Sequence, residues 1–327
     1  MFTKYLSKLS IIPILAGWRC PVLMQPDQMS TADVCEKILP AVFRIISTHA
    51  TQNMTVGVGS GFFIKKDGTG LTCAHAISNK HSNYQAKLDS GEECPLEILH
   101  SHPTSDIAVV KVKVPKPVPF LTLGDSGLNR RGEQVIHFGN TMFGTITEID
   151  VGYINKLHDD TPKWIEIQMN EKLESSRSGI QYIMTSGSVR PGFSGGPLVN
   201  MKGEVVGLIA RLYIRGQGPS LENEGASIPI NIVKGVIKQM ELSGEVRKPY
   251  IGLSFTPSDS GLIIVKVQPR SPAEKAGLEV GDLVISANGR HVTKPEDIMT
   301  VIGFQIGVIL DLKISRKGKE ISIKVYS

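Results

Sequence analysis

No stretch of this sequence reaches the roughly 18 consecutive apolar residues that a membrane-spanning helix needs, so it does not read as a helical membrane protein. Cysteine is sparse: Cys20, Cys35, Cys73 and Cys94 are widely spaced and form no CxxC pair. That spacing suits neither a zinc site nor a disulfide framework, so thiols are expected, which favours a reducing compartment. Excess charge is lacking too. The 36 basic and 31 acidic side chains leave a net +5, and no Lys/Arg-rich run stands out, which sets nucleic acid aside as a partner. Internal repeats and low-complexity tracts are also missing, and nothing in the residues asks for a metal or an organic cofactor.

What is present is the composition of an ordinary soluble globular chain, 41% apolar and 20% charged, and 327 residues suffice for two domains. Residues 1–29 differ from the rest. Lys4, Lys8 and Arg19 occur there with no acid before Asp27, as in a transit peptide for the mitochondrion or another organelle. The run IIPILAGW, broken by Pro13, is a poor secretory core, and an untidy N-terminus is the plain alternative. The sequon Asn53-Met54-Thr55 matters only in a secreted protein.

From Ser30 the text becomes orderly. Ser30 and Asp33 open a short helix predicted to end near Pro40. Short β-type runs follow, among them VGVGSGFFI, GLTCAHAI, DIAVVKVKV, EQVIHFG, EIDVGYI and EVVGLIA, separated by Gly, Asp, Asn and Ser clusters. Many short strands argue for an antiparallel barrel or sandwich. Near residue 228 the period changes: Ile228, Ile232, Val236 and Met240, with Val233 and Ile237, make one apolar helix face. Residues 243–249 read as a linker. Beyond it, YIGLSF, GLIIVKVQP, DLVISANG and ISIKVYS predict strands, and SPAEKAGL and KPEDIMTVI short helices, of an α+β domain over 250–327.

The chemistry concentrates in three places. GLTCAHAI ends near His75, HSHPTSDIAVVKV carries Asp106, and VRPGFSGGPLVN carries Ser194. A serine hydroxyl needs an adjacent base near neutral pH, histidine titrates in the right range, and a carboxylate fixes the imidazole tautomer. The order His, Asp, Ser belongs to chymotrypsin-like double β-barrels, whereas α/β-hydrolases run Ser, acid, His. PLVN, a Lys202-Gly203 turn and EVVGLIA also make strand-turn-strand, not the strand-turn-helix of a nucleophile elbow. Gly192 permits a tight turn that aims the N–H groups of Gly192 and Ser194 at a developing oxyanion. GDSG at 124–127 lacks a second glycine and is read as a surface turn around Ser126. GVGSG at 57–61 lacks a following lysine and helix and is read as a strand entry. His81, His100, His102, His137, His158 and His291 lack a setting like that of His75.

Carrying these motifs, the chain resembles the HtrA (Deg/Do-like) serine proteases with a C-terminal PDZ domain. The resemblance runs from about Val34 to Ser327, through GSGFFI, LTCAHAI, SDIAVVKV, LGDS, RPGFSGGPLVN, GEVVGL and ASIPI, then PYIGL and SPAEKAGLEVGDLVISANGRHV. It implies a protease domain over 30–242 and a PDZ domain over 250–327. It implies His75 as general base, Asp106 as its orienter, Ser194 as nucleophile and an oxyanion hole from Gly192 and Ser194. Ile209, Ala210 and Arg211 would pair with the substrate backbone, and Ala226 and Ser227 would line a primary pocket for small or medium apolar side chains. Tyr250, Ile251, Gly252, Leu253 and Phe255 would bind peptide C-termini. The implied activity is ATP-independent cleavage of unfolded or damaged proteins by a homotrimer. Two departures stand out: Phe193 where the family usually has Asn before the nucleophile, and Cys73 where it usually reads Thr-Asn-Ala-His. Two rival classes stay open: a protease-shaped chaperone silenced by Phe193, and a PDZ peptide-binding adaptor.

Overall fold

A computed structural model describes residues 29–49, 55–79, 81–141, 144, 146–159, 182–187, 189–210, 224–247, 250–302, 307 and 309–326. The chain enters through helix α1, Thr31–Ile38, opened by a reciprocal cap. The Ser30 hydroxyl accepts from the Asp33 N–H at 3.2 Å, and the Asp33 carboxylate accepts from the Ser30 N–H at 3.1 Å. Val34, Cys35 and Ile38 form its buried face, and Pro40 turns the chain into a short 3₁₀ segment.

Six strands then close a barrel: β1 (Val42–His49), β2 (Thr55–Phe63), β3 (Thr69–Thr72), β4 (Ser82–Lys87), β5 (Glu93–His102) and β6 (Ile107–Val112), in the order β1-β2-β3-β6-β5-β4. The rings of Phe43 and Phe63, with centroids 4.8 Å apart, lie on one face of its strands and Phe62, Leu71 and Ile107 on the other, and all five are buried in one apolar core. A short β7 (Thr122–Leu123) leads to the second set: β8 (Gln134–Gly139), β9 (Glu148–Asp159), β10 (Tyr182–Ser186), β11 (Pro197–Asn200), β12 (Glu204–Ile209) and β13 (Glu224–Pro229). Their order β11-β8-β9-β10-β13-β12 closes through the β11–β12 pairing, so this too is a barrel, with β7 added in parallel on β12. Val135, Ile154, Ile183, Leu198, Val206 and Ile209 pack inside it.

Helix α2, Ile230–Ser243, lays Ile232, Val233, Val236, Ile237 and Met240 on the first core and ends at Gly244, whose φ of 70° is the left-handed cap glycine favours. Its N-terminal end has no cap of its own, because Pro229 stands there. The GDSG turn supplies one: Ser126 Oγ accepts from the Asn231 N–H at 3.2 Å, and Asp125 accepts from the Asn231 amide at 2.6 Å. Ser126 is therefore 7% exposed, not a surface-turn residue. The hydroxyl is drawn inward to satisfy an orphan helix donor.

The third unit is a sheet in the order β14 (Leu253–Ser258), β15 (Gly261–Val267), β16 (Leu283–Ala287), β18 (Ile309–Arg316), β19 (Lys319–Tyr326), with β17 (Arg290–His291) paired to β16. Helices α3 (Pro272–Lys275) and α4 (Pro295–Ile302) accompany it. Leu262, Ile264, Val284, Ile298, Leu312 and Ile314 belong to a core of its own. Asp282, 1% exposed, accepts two 2.7 Å hydrogen bonds from Arg316. Burial alone would raise that carboxyl; the paired Arg316 guanidinium and the Glu279 N–H together outweigh it and hold it low. Asp125, Asn231, Asn288 and Arg290 line a cleft of about 320 Å³ where this unit meets α2 and the GDSG turn. Among the described residues no helix is long and apolar enough to cross a membrane.

Candidate active site

His75 sits in a 3₁₀ turn, Ala74–Ile77, that follows β3. Asp106 precedes β6, which pairs with β3, so the sheet register brings the two side chains to one barrel end. His75 Nδ1 lies 2.8 Å from Asp106 Oδ2, and the His75 N–H donates to Oδ1 at 2.9 Å. Both carboxylate oxygens are thereby engaged. Asp106 is 4% exposed and holds φ 59°, a left-handed conformation that Asp tolerates better than most residues. Its N–H closes a turn onto Pro103 O at 3.1 Å, and its carbonyl accepts from Ala74 N–H at 3.2 Å. The imidazole keeps a quarter of its surface in solvent. A His–Asp pair held at both ends, with one ring edge open, is the arrangement a general base needs.

Ser194 lies in the turn before β11, buried at 5%. The barrels meet here. The Ser60 N–H on β2 donates to Ser194 O at 2.8 Å, and Gly195 N–H donates to Ile209 O at 2.8 Å. A Cβ on Gly195, φ 87°, would press within 2.9 Å of the Cys73 nitrogen, so glycine is what lets the Ser194 segment close on the His75 segment. Cys73 itself is buried, and its thiol donates to Ile209 O at 3.3 Å. Cys73, His75 and Asp106 form the one group of candidate metal ligands among the described residues, and the His75–Asp106 hydrogen bond already engages two of its members.

Before Ser194, Phe193 N–H bonds Arg190 O at 3.0 Å, closing a turn with Pro191 and Gly192 at its centre. Proline second and a glycine at φ 105° third are the signature of a type II turn, which sets the peptide plane carrying the Gly192 N–H. Phe193 is 1% exposed and belongs to the apolar cluster inside the second barrel. A Cβ on Gly139 would lie 2.5 Å from its ring, so the ring is seated against bare backbone. Ser60, which sequence reading passed over within a glycine-rich strand, bridges the barrels: its hydroxyl accepts from Asn140 N–H and donates to Gly192 O, both at 2.7 Å. Nothing local announces that role.

Ile209 ends β12 and Ala210 follows it; Ala210 N–H bonds Ala226 O at 2.9 Å. Ala226 and Ser227 lie on β13, both fully buried, and Ser227 Oγ has no hydrogen-bond partner among the described residues. Arg211 lies outside the described residues, as do residues 1–28 of the N-terminal segment. In the third unit, Tyr250 is exposed and Ile251 is buried. Gly252 takes φ 80°, where a Cβ would collide with Ser271. Leu253 and Phe255 lie on β14, the sheet's edge, and are partly buried against its core. His137 has a polar setting of its own: fully buried, it touches Thr185 Oγ1 at 2.7 Å and Asp150 O at 3.2 Å.

Comparison with known proteins bears on this geometry. A family model described as a trypsin-like peptidase domain matches residues 59–208, and a PDZ domain model matches residues 249–326. Serine protease HTRA1 of Xenopus tropicalis is 30% identical over 97% of this chain and 72% of its own length. A probable periplasmic serine endoprotease DegP-like of Chlamydia trachomatis is 30% identical over 82% of this chain and 53% of its own. Among solved structures, an HtrA-type protease AlgW with a decapeptide aligns over 91% of this chain and 98% of that one, at a TM-score of 0.59 and 20% identity.

Proposed function

Because the chain belongs to the HtrA family of serine proteases, a family of serine endopeptidases, we propose that it cleaves unfolded or damaged proteins without ATP, as part of protein quality control, through His75, Asp106 and Ser194. The observation that carries this reading is the doubly held His75–Asp106 pair. Asp106 keeps the proton on Nδ1, which leaves Nε2 as the base that takes the Ser194 proton as Oγ attacks the scissile carbonyl. The same imidazolium then returns the proton to the leaving amine. The N–H groups of Gly192 and Ser194 receive the oxyanion, and the Pro191-Gly192 turn supports that assignment. Phe193 turns inward instead of over the turn, which weighs against a scaffold silenced by that residue.

Ala226 and Ser227 form the wall of the primary pocket, and Ile209, Ala210 and Arg211 receive the substrate backbone as a strand. The PDZ domain presents β14 as a sheet edge that, among the described residues, pairs only with β15. An added peptide strand fits there, its carboxylate at the Tyr250-Ile251-Gly252-Leu253 turn, to recruit substrate or gate the peptidase.

The test compares the purified full chain with its Ser194→Ala variant, using an unfolded protein substrate and a fluorophosphonate label. Wild type is expected to cut and to take up label; the variant is expected to lose about 10⁶ in rate, about 8 kcal/mol, and all label. A wild type that neither cuts nor labels, even with an apolar C-terminal peptide present, sinks the reading. Homotrimeric assembly belongs to the same proposal, and light scattering on that preparation, against 35.5 kDa for one chain, checks it.

A further inference from the structure

His137 stands in the middle of β8 with no solvent contact, and three glycines, Gly152 on β9, Gly225 on β13 and Gly187 just after β10, close on its ring. Cβ atoms on Gly187, Gly225 and Gly152 would lie 3.0, 3.1 and 3.3 Å from it. Any side chain at those places would force the ring or the strands to move. Two of these glycines flank the candidate site: Gly225 precedes Ala226 and Ser227 on β13, and Gly187 begins the segment that leads to the Ser194 turn.

Hydrogen bonds join the same parts. Nδ1 faces the Asp150 carbonyl at 3.2 Å, Nε2 meets Thr185 Oγ1 at 2.7 Å, and Thr185 Oγ1 lies 3.3 Å from Gly225 O. The Asp150 carboxylate is 4.0 Å from Nδ1. Counting protons orders this chain. Both carbonyls only accept, and a hydroxyl has one proton to give. With the proton on Nδ1, the ring donates to Asp150 O and accepts from Thr185, whose hydroxyl then turns away from Gly225. With the proton on Nε2, Thr185 is released to donate to Gly225 O, and Nδ1 faces a carbonyl lone pair. The ring thus decides whether β10 and β13 are joined through Thr185.

We propose that His137 is a positioning residue of the peptidase site, one that holds Thr185 on β10 by its hydrogen bond and Gly225 on β13 by direct ring contact, and so sets the pocket wall formed by Ala226 and Ser227. It touches no reacting atom. The proposal rests on the reading that this wall receives the substrate side chain. It deepens that reading, because the wall's selectivity then depends on a polar strut behind it.

The experiment uses the full chain with His137→Gln, His137→Phe, Thr185→Val and the His137→Phe/Thr185→Val pair. Each is followed by its rate of labelling with a small fluorophosphonate, by KM and kcat on peptides differing only in the residue before the cut, and by Tm. Gln reaches Thr185 with an amide and is expected to stay within about threefold of wild type; Phe and Val fill the space without the strut and are expected to lose about tenfold in kcat/KM. That loss is expected mainly in KM, with a flatter preference among peptides, while labelling of Ser194 changes less than about threefold. The pair is expected to be no worse than either single change, since both break one chain. Wild-type selectivity in His137→Phe and Thr185→Val overturns the proposal. So does an equal fall of labelling, cleavage and Tm in all variants, Gln included, which marks a purely structural ring. Absence of labelling in wild type removes the underlying reading as well, and is a different result from either.

Discussion

Single side chains in this protein carry chemistry by what holds them. His75 is addressed by both oxygens of one carboxylate, whereas His137 is enclosed, and burial lowers its pKa against the opposing pull of the Asp150 carbonyl and carboxylate. A histidine kept neutral in the fold but free to ionise when unfolded lends stability above its ordinary value near 6.5. That contribution is lost as pH falls below that value toward the lowered one. His102, lowered by burial as well, acts in the same direction. Between pH 7.5 and 5.5 wild type is therefore expected to lose more stability than His137→Gln, by at most about 1.4 kcal/mol per pH unit. Urea unfolding at both pH values checks it; equal losses in the two proteins would assign the acid sensitivity elsewhere.

At the scale of elements, the GDSG stretch is a cap borrowed across the chain. Helix α2 starts at a proline and brings no side chain to its own first turn, so Ser126 and Asp125 supply the acceptors. The Asp125 carboxyl is held low, chiefly by the Asn231 amide, with Lys234 and Arg290 adding to it. Ser126→Ala is expected to cost about 1 kcal/mol, because a buried N–H loses its acceptor. Asp125→Ala at the exposed neighbour is expected to cost less. Paired denaturation curves for the two variants decide it, and a larger loss at Asp125 would put the cap in the wrong residue. The turn before Ser194 follows the same logic at shorter range, since Pro191 and Gly192 write a type II turn into the chain.

Among the described residues the whole molecule has three apolar clusters. One runs from Val34 to Met240 across the barrels and α2, a second lies inside the second barrel, and the PDZ domain holds the third, from Ile251 through Val325. Between the peptidase and PDZ units lies the cleft of Asp125, Asn231, Asn288 and Arg290, and among the described residues no apolar cluster spans it. Calorimetry is accordingly expected to resolve two transitions. Ile264→Ala, which empties space in the PDZ core, should lower one of them by about 2 to 5 kcal/mol and leave the other in place. A single cooperative transition shifted as a unit would mean the cleft couples the domains far more strongly than the separate clusters indicate.

Much of this was written locally. Short β-type runs between turn residues marked most strands, the four-residue apolar step marked α2, Ser30 and Asp33 marked the first helix, and the order of His75, Asp106 and Ser194 chose the double barrel over the α/β-hydrolase. The first three survive in a bare string because they depend on neighbours a few residues apart, and the last because order along the chain is itself part of the string. The polar contacts that shape the site do not. Ser60 and Gly192 are 132 positions apart, Ser126 and Asn231 are 105, and His137 and Thr185 are 48. No period or turn chemistry connects such pairs, so Ser126 read as a surface-turn residue and nothing local signalled the partners that His137 meets. Only closure of the barrels brings them together, because register sets which strands meet, and a buried donor must then find an acceptor wherever the fold has put one.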